Sequence, residues 1–147
     1  MTNERCFLCD DKRREDPPPG GWVYGDPMWR VGHAPASYGP AGLVVLESRR
    51  HFLDAAEMTP DEAIALGPLL RRLVAAVKQT TGAARVYLFS TMAQVPHFHA
   101  MLIPWWPDQQ ARGPAYVADM PPCTQRQAEC AAADLRGALE VPRRHMG

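Results

Sequence analysis

Apolar and polar positions alternate in short bursts along the first fifty residues, and turn residues separate the bursts. "WVYGD" and "PMWRVGH" read as two short strands around a Gly-Asp-Pro turn. In "AGLVVLESRRHF" the run Leu43-Val44-Val45-Leu46 is continuously apolar, the pattern of a strand covered on both faces. The period then changes. In "MTPDEAIALGPLLRRLVAAVKQTTG", Leu66, Leu70, Leu73 and Val77 recur at helical spacing. Thr59 can cap this helix, Pro60 suits its first position, Glu62 can complete a capping box, and Gly82 can end it. Pro68 removes a backbone donor and crowds the Ile64 carbonyl, which predicts a kink. "RVYLFST" is rich in β-branched and aromatic residues and predicts a further strand.

"QVPHFHAMLIPWW" returns to a period of two. Phe98, Ala100 and Leu102 fall on one face of the predicted strand, and His97, His99 and Met101 fall on the other. Pro104 is expected to end it. The C-terminal "CTQRQAECAAADLRGALE" has good helix formers. Strands, a helix, two strands and a helix make an α+β fold: a mostly antiparallel five-stranded sheet with one main helix and a C-terminal helix.

A length of 147 residues suits a single domain, expected to span residues 1–147, with a tail from about residue 140 expected to be flexible. Sixteen basic and sixteen acidic residues leave a formal net charge of zero, so no large electrostatic footprint for nucleic acid is present. No apolar stretch approaches the roughly 20 residues that span a bilayer. "MTNERCFLCDDKRRE" is too polar for a signal peptide. The expectation is a cytoplasmic protein with neither nucleic-acid nor membrane partners. Its four cysteines are then thiols or metal ligands before they are disulfides. "EDPPPGG" reads as a turn or stiff linker after the first cysteine pair.

Cys6 and Cys9 form C-x-x-C, which lets two thiolates reach one Zn²⁺ from a tight turn. The same spacing serves redox pairs, but no helix-start pattern follows to lower a thiol pKa. A structural zinc needs two further ligands, and His51 and His97 are the candidates. By chemistry alone Cys123, Cys130, His33 and His145 also qualify. The simpler readings are buried thiols for Cys123 and Cys130 and a solvated pair for Arg49 and Arg50. A histidine in a strand, such as His99, is by itself more often a satisfied core residue than a nucleophile.

Taken together, "QVPHFHAML", the N-terminal C-x-x-C, "AGLVVLESRRH" and the Thr-Pro-Asp-Glu helix resemble the histidine triad (HIT) superfamily, in family order over most of the chain. The resemblance to zinc-bearing members and to galactose-1-phosphate uridylyltransferases implies Cys6, Cys9, His51 and His97 as ligands of a structural zinc, with residues 1–21 as the zinc-bearing segment. It implies His99 as a nucleophile that attacks the α-phosphorus of a nucleoside 5′-phosphate derivative, such as a phosphoramidate or a dinucleoside polyphosphate. Candidate substrate contacts are Thr91 and Gln94, which could stand in for the phosphate-holding segment, Met101 in the third histidine's place, and Trp105 with Trp106, whose rings could stack on a base; the simpler readings are a solvent-facing turn residue for Gln94 and packing or a dimer contact for the tryptophan pair. The resemblance also implies a homodimer. The chain also departs from the pattern. Met101 stands in the third histidine's place and cannot hydrogen-bond a phosphate. "STMAQVPH" is short where a Gly-Gln-Ser/Thr segment is usual, and "IPWW" replaces Ile-Pro-Arg. Gly42 stands where a Pro-Gly-His histidine is common, and no ribose-binding acid is evident near His33 and Tyr38. These departures keep two alternatives open: a nucleotide-binding or interaction module without catalysis, and a related enzyme with a more apolar substrate.

Overall fold

A computed structural model of the chain describes residues 6–10 and 16–140. The tail expected from about residue 140, and with it His145, lies outside the described residues. Five strands form one sheet: β1 (Trp22–Gly25), β2 (Trp29–His33), β3 (Val44–Ser48), β4 (Arg85–Phe89) and β5 (His99–Trp105). Their order across the sheet is β1-β2-β3-β5-β4, and every neighbouring pair is antiparallel. Among the described residues three α-helices accompany them: α1 (Pro60–Thr81), α2 (Pro114–Ala118) and α3 (Gln125–Glu140). The fold class is therefore the α+β arrangement expected from the pattern. The short α2 has no period of its own in the sequence.

Helix α1 begins as its sequence dictates. The Thr59 hydroxyl accepts from the Glu62 N–H at 3.1 Å, and the Glu62 carboxylate accepts from the Thr59 N–H at 2.8 Å. Gly82 ends it with a left-handed φ of 70°. The helix continues through Pro68 as one element. Leu69, Leu73, Ala76 and Val77 are buried, and Leu66 and Leu70 pack beside them.

The sheet separates two environments. On the helix face, Val31, Val44, Leu46 and Leu102 join α1 and α3 in the main core, with Trp29, Phe52 and Phe98 edge-on or stacked within it. The opposite face carries Arg30, Gly32, Val45, Glu47, His99 and Met101. Alternation along β2, β3 and β5 divides the residues in this way. Two glycines are dictated by close approach. A Cβ at Gly32 would meet Pro18 at 2.5 Å, so glycine lets the proline segment close over this second face. A Cβ at Gly42 would meet Thr81 at 2.3 Å, and its φ of +97° is itself a glycine conformation.

Two boundaries differ from expectation. Strand β5 begins at His99, so His97 precedes the ladder; it is nonetheless only 1% exposed. Pro104 does not end the strand. Pairing with β3 stops at Leu102, so Pro104 lies beyond the reach of that ladder while Val86 of β4 still flanks it. The Tyr116 hydroxyl donates to its carbonyl at 3.0 Å.

Candidate functional site

Four side chains from three distant segments converge at the end of β3. The Cys6–Cys9 turn closes with the Cys9 N–H donating to the Cys6 carbonyl at 3.1 Å, which brings both sulfurs to one side. His51 follows β3, and His97 immediately precedes β5. The donor atoms of Cys6, Cys9, His51 and His97 all lie within 4.8 Å of one another. His97 Nδ1 is 3.5 Å from Cys6 Sγ, 3.3 Å from Cys9 Sγ and 3.3 Å from His51 Nδ1. Cys9 Sγ and His51 Nδ1 are 3.4 Å apart.

These separations can be tested against a metal. Tetrahedral zinc, with Zn–S about 2.3 Å and Zn–N about 2.0–2.1 Å, sets neighbouring S and N roughly 3.5 Å apart and two N roughly 3.3 Å apart. The donor set fits. The chemistry of the far side of His97 fits as well. Its Nε2 lies 2.6 Å from the Ser48 carbonyl, which can only accept, so Nε2 carries the proton and Nδ1 offers a lone pair to the cluster. Burial holds the His97 pKa below its ordinary value and so favours the neutral, ligating form. Burial, followed by the Cys6 hydrogen bond and charge, pushes the Cys9 thiol up to about 11. The Arg30 guanidinium acts the other way but is outweighed, and the thiol stays protonated; a bound dication favours the thiolate.

The other candidate ligands are elsewhere. His33 is buried, with Nδ1 donating to the Ala34 carbonyl at 2.6 Å and Nε2 accepting from the Gly42 N–H at 2.8 Å. Cys123 is half-buried, and Cys130 is exposed on α3, where the simpler sequence reading had a buried thiol. Arg49 and Arg50 are exposed, as the simpler reading has them, and Arg50 also pairs with the Glu62 carboxylate at 2.8 Å. Arg49 donates to the Asp26 carbonyl.

Next to the metal-donor cluster, on the second face of the sheet, lies a cavity of about 590 Å³. His99 and Met101 stand in its wall, as alternation from the start of β5 requires. His99 Nδ1 lies 2.7 Å from the His97 carbonyl, so it donates there and leaves Nε2 as the unprotonated nitrogen of the neutral ring. Val95 lines the cavity, whereas Thr91 and Gln94, in the loop before it, do not. Trp105 is also outside the lining. Its indole donates to the Ala111 carbonyl at 2.9 Å, and its ring lies 6.3 Å from that of Tyr87 in a small apolar cluster. Trp106 likewise donates to the Thr81 carbonyl at 3.0 Å.

Several lining residues carry no sequence expectation. Glu47 is 1% exposed, pairs with the Arg30 guanidinium, and is the direct register partner of His99. Arg30, Glu47 and His99 therefore form one row across β2, β3 and β5. A charged residue within an otherwise apolar strand, two positions from Val45, was the available signal. Phe7 and Leu8, between the two cysteines, also line the cavity, as do Trp22 and Pro18.

No family model matches the chain, and no curated protein matches it in sequence. Solved structures do. One is a hypothetical histidine triad nucleotide-binding protein from Sulfolobus tokodaii strain 7, at 19% identity and a TM-score of 0.69, covering 92% of each chain. A Hit-like protein involved in cell-cycle regulation from Bartonella henselae gives 15% identity and a TM-score of 0.72, over 93% of this chain and 97% of that one. A Zn-bound histidine triad family protein from Mycobacterium smegmatis gives 17% identity and a TM-score of 0.62, over 94% and 95%. The strand order and the helices thus share the fold of these histidine triad proteins.

Proposed function

We propose that this protein is a HIT-like nucleotide phosphohydrolase or nucleotidyl transferase whose nucleophile is His99. The observation that carries the reading is the 2.7 Å contact between His99 Nδ1 and the His97 carbonyl at the wall of a cavity. That contact fixes the tautomer a nucleophile needs. In the reaction, Nε2 forms a bond to the α-phosphorus while the bond to the leaving group breaks and that group takes up a proton. Water or another acceptor then attacks the phosphorus, breaks the N–P bond and returns neutral His99. The substrate class is a nucleoside 5′-phosphate derivative, a phosphoramidate or a dinucleoside polyphosphate.

Cys6, Cys9, His51 and His97 would hold a structural zinc, and the separations among their donor atoms support this assignment. A zinc with four protein ligands has no open position, so its part is to hold the N-terminal turn against β3 and β5. A homodimer that extends the sheet through β4 belongs to the same reading. Its support is that β4 is an edge strand with Leu88 57% and Phe89 40% exposed. No helix among the described residues is long and apolar enough to cross a membrane.

One observation favours the second reading, a binding module or an enzyme for a different substrate. Met101 lines the cavity where a polar group would meet the phosphate, and the buried Glu47 carboxylate is nearby. Hydrolysis of adenosine 5′-phosphoramidate and a diadenosine polyphosphate by wild type and His99→Ala, at equal zinc content, separates the readings. Turnover that the substitution abolishes supports the enzyme. Nucleotide affinity without turnover supports the module.

A further inference from the structure

The Cys6–Cys9 turn belongs to no strand, so no ladder of backbone hydrogen bonds holds it to the sheet. Two of its carbonyls are satisfied locally: that of Cys6 accepts from the Cys9 N–H at 3.1 Å, and that of Phe7 from the Asp10 N–H at 3.4 Å. The Leu8 carbonyl, in the peptide bond that leads into Cys9, is different. It accepts from Arg30 Nη2, on β2, at 2.9 Å. The same guanidinium donates through Nε to the Glu47 carboxylate of β3 and lies 4.4 Å from the centroid of the Trp22 ring. One planar cation thus joins two strands to the turn that carries both sulfurs. On the histidine half of the cluster the sheet acts through Ser48, whose carbonyl accepts from His97 Nε2 at 2.6 Å. Arg30 is the counterpart on the cysteine half.

We infer that Arg30 is a positioning residue for the metal: by holding the Leu8 carbonyl it sets the turn so that both sulfurs meet His51 and His97 before an ion binds, and it raises zinc affinity from outside the ligand set. The inference rests on the proposed zinc assignment. The cysteines and the histidines come from segments far apart in the chain, so an ion that had to order the turn itself would lose that cost from its binding free energy. A turn already held avoids the loss. Arginine suits the task because its donors are rigidly spaced and can serve a carboxylate and a carbonyl at once, whereas a lysine ammonium is a single point charge. Groups that orient metal ligands in this way change affinity by about 10- to 100-fold when they are removed.

The test measures zinc affinity by competition with a chromophoric chelator. On the metal-free protein it also follows the rate at which each cysteine reacts with a thiol reagent, read by peptide mass spectrometry. Arg30→Met removes both hydrogen bonds and keeps the apolar stem, and Arg30→Lys keeps a charge beside Glu47 but loses the fork. Zinc is expected to bind about a hundredfold more weakly to Arg30→Met and about tenfold more weakly to Arg30→Lys. The buried Cys6 should react about tenfold faster in both variants as the turn loosens, while the half-buried Cys123 keeps its wild-type rate. Wild-type zinc affinity in Arg30→Lys, or a Cys6 no more reactive than in the wild type, overturns the inference and leaves the zinc site standing. Equal acceleration of Cys6 and Cys123 makes Arg30 a general stabiliser and overturns it as well. If Arg30→Met does not fold, Arg30→Lys decides by itself. A wild-type protein that binds no zinc overturns both the inference and the zinc assignment.

Discussion

His97 and His99 are two residues apart, yet they belong to two kinds of site. His97 is almost fully buried, and both its nitrogens have local partners: Nδ1 faces two sulfurs and His51, and Nε2 meets the Ser48 carbonyl. His99 is half-buried, has one nitrogen fixed by a carbonyl, and stands in a cavity wall. The first arrangement immobilises a ring. The second orients a ring and leaves its other nitrogen for chemistry. Strand β5 starts between them, and the carbonyl of His97 sets the tautomer of His99. The comparison predicts that damage to the two residues will separate cleanly into loss of fold and loss of reaction.

Removing His97 should have the largest effect. His97→Ala deletes a buried ring and one of the four proposed zinc ligands, and is expected to abolish zinc binding and cost about 3 kcal/mol or more. Metal analysis and thermal unfolding check this, and a chelator should lower the unfolding temperature of the wild type in the same direction. His99→Ala sharpens the contrast. Turnover should fall by at least about 10³-fold, while zinc content and unfolding temperature remain close to wild type. Retained zinc with a collapsed fold, or lost zinc with full turnover, would break the comparison.

Met101→His tests what the cavity lacks. A polar ring at this position can hydrogen-bond a phosphate oxygen, which is worth about 1.5 kcal/mol, or roughly tenfold in kcat/KM. No change in zinc content is expected, and steady-state kinetics on the phosphoramidate read the gain. The smallest effect should fall on the scaffold behind both sites. Thr59→Ala removes the helix cap and should cost about 1 kcal/mol by denaturant unfolding, with no change in kinetics beyond that loss.

The Glu62 carboxylate adds a pH signature. Its pKa is held below the ordinary value, first by the Arg50 hydrogen bond, which outweighs its burial. A depressed folded pKa contributes stability that is present above the unfolded value, about 4.3, and is lost as pH falls through the lower, folded value. Glu62→Gln should flatten this acid-side loss in unfolding measurements across that window.

The same contrast explains how much the sequence discloses. The capping box at Thr59 and Glu62, the period of α1 and the alternation of β5 are local, and the backbone obeys them. The convergence of Cys6, Cys9, His51 and His97 was approachable because their residue types are scarce and their chemistry narrow. The cavity was not. Its wall takes Phe7 from the N-terminal turn, Gly32 from β2, Glu47 from β3 and Met101 from β5, and no periodicity connects them. Trp105 illustrates the limit. Its residue type suits base stacking, but Ala111 and Tyr87 hold it in an apolar cluster that the local sequence does not reveal. Pro104 shows the same limit in a strand: whether a missing N–H matters depends on how far the neighbouring ladder extends.

A nucleophilic His99 must form a covalent bond to phosphorus during turnover. The direct measurement is intact-protein mass spectrometry of the zinc-loaded chain, quenched during turnover of adenosine 5′-phosphoramidate and followed by peptide mapping. A nucleotidyl adduct on His99, absent from His99→Ala, is the expected result. Product formed with no adduct at His99, or an adduct on another residue that persists in His99→Ala, would contradict it.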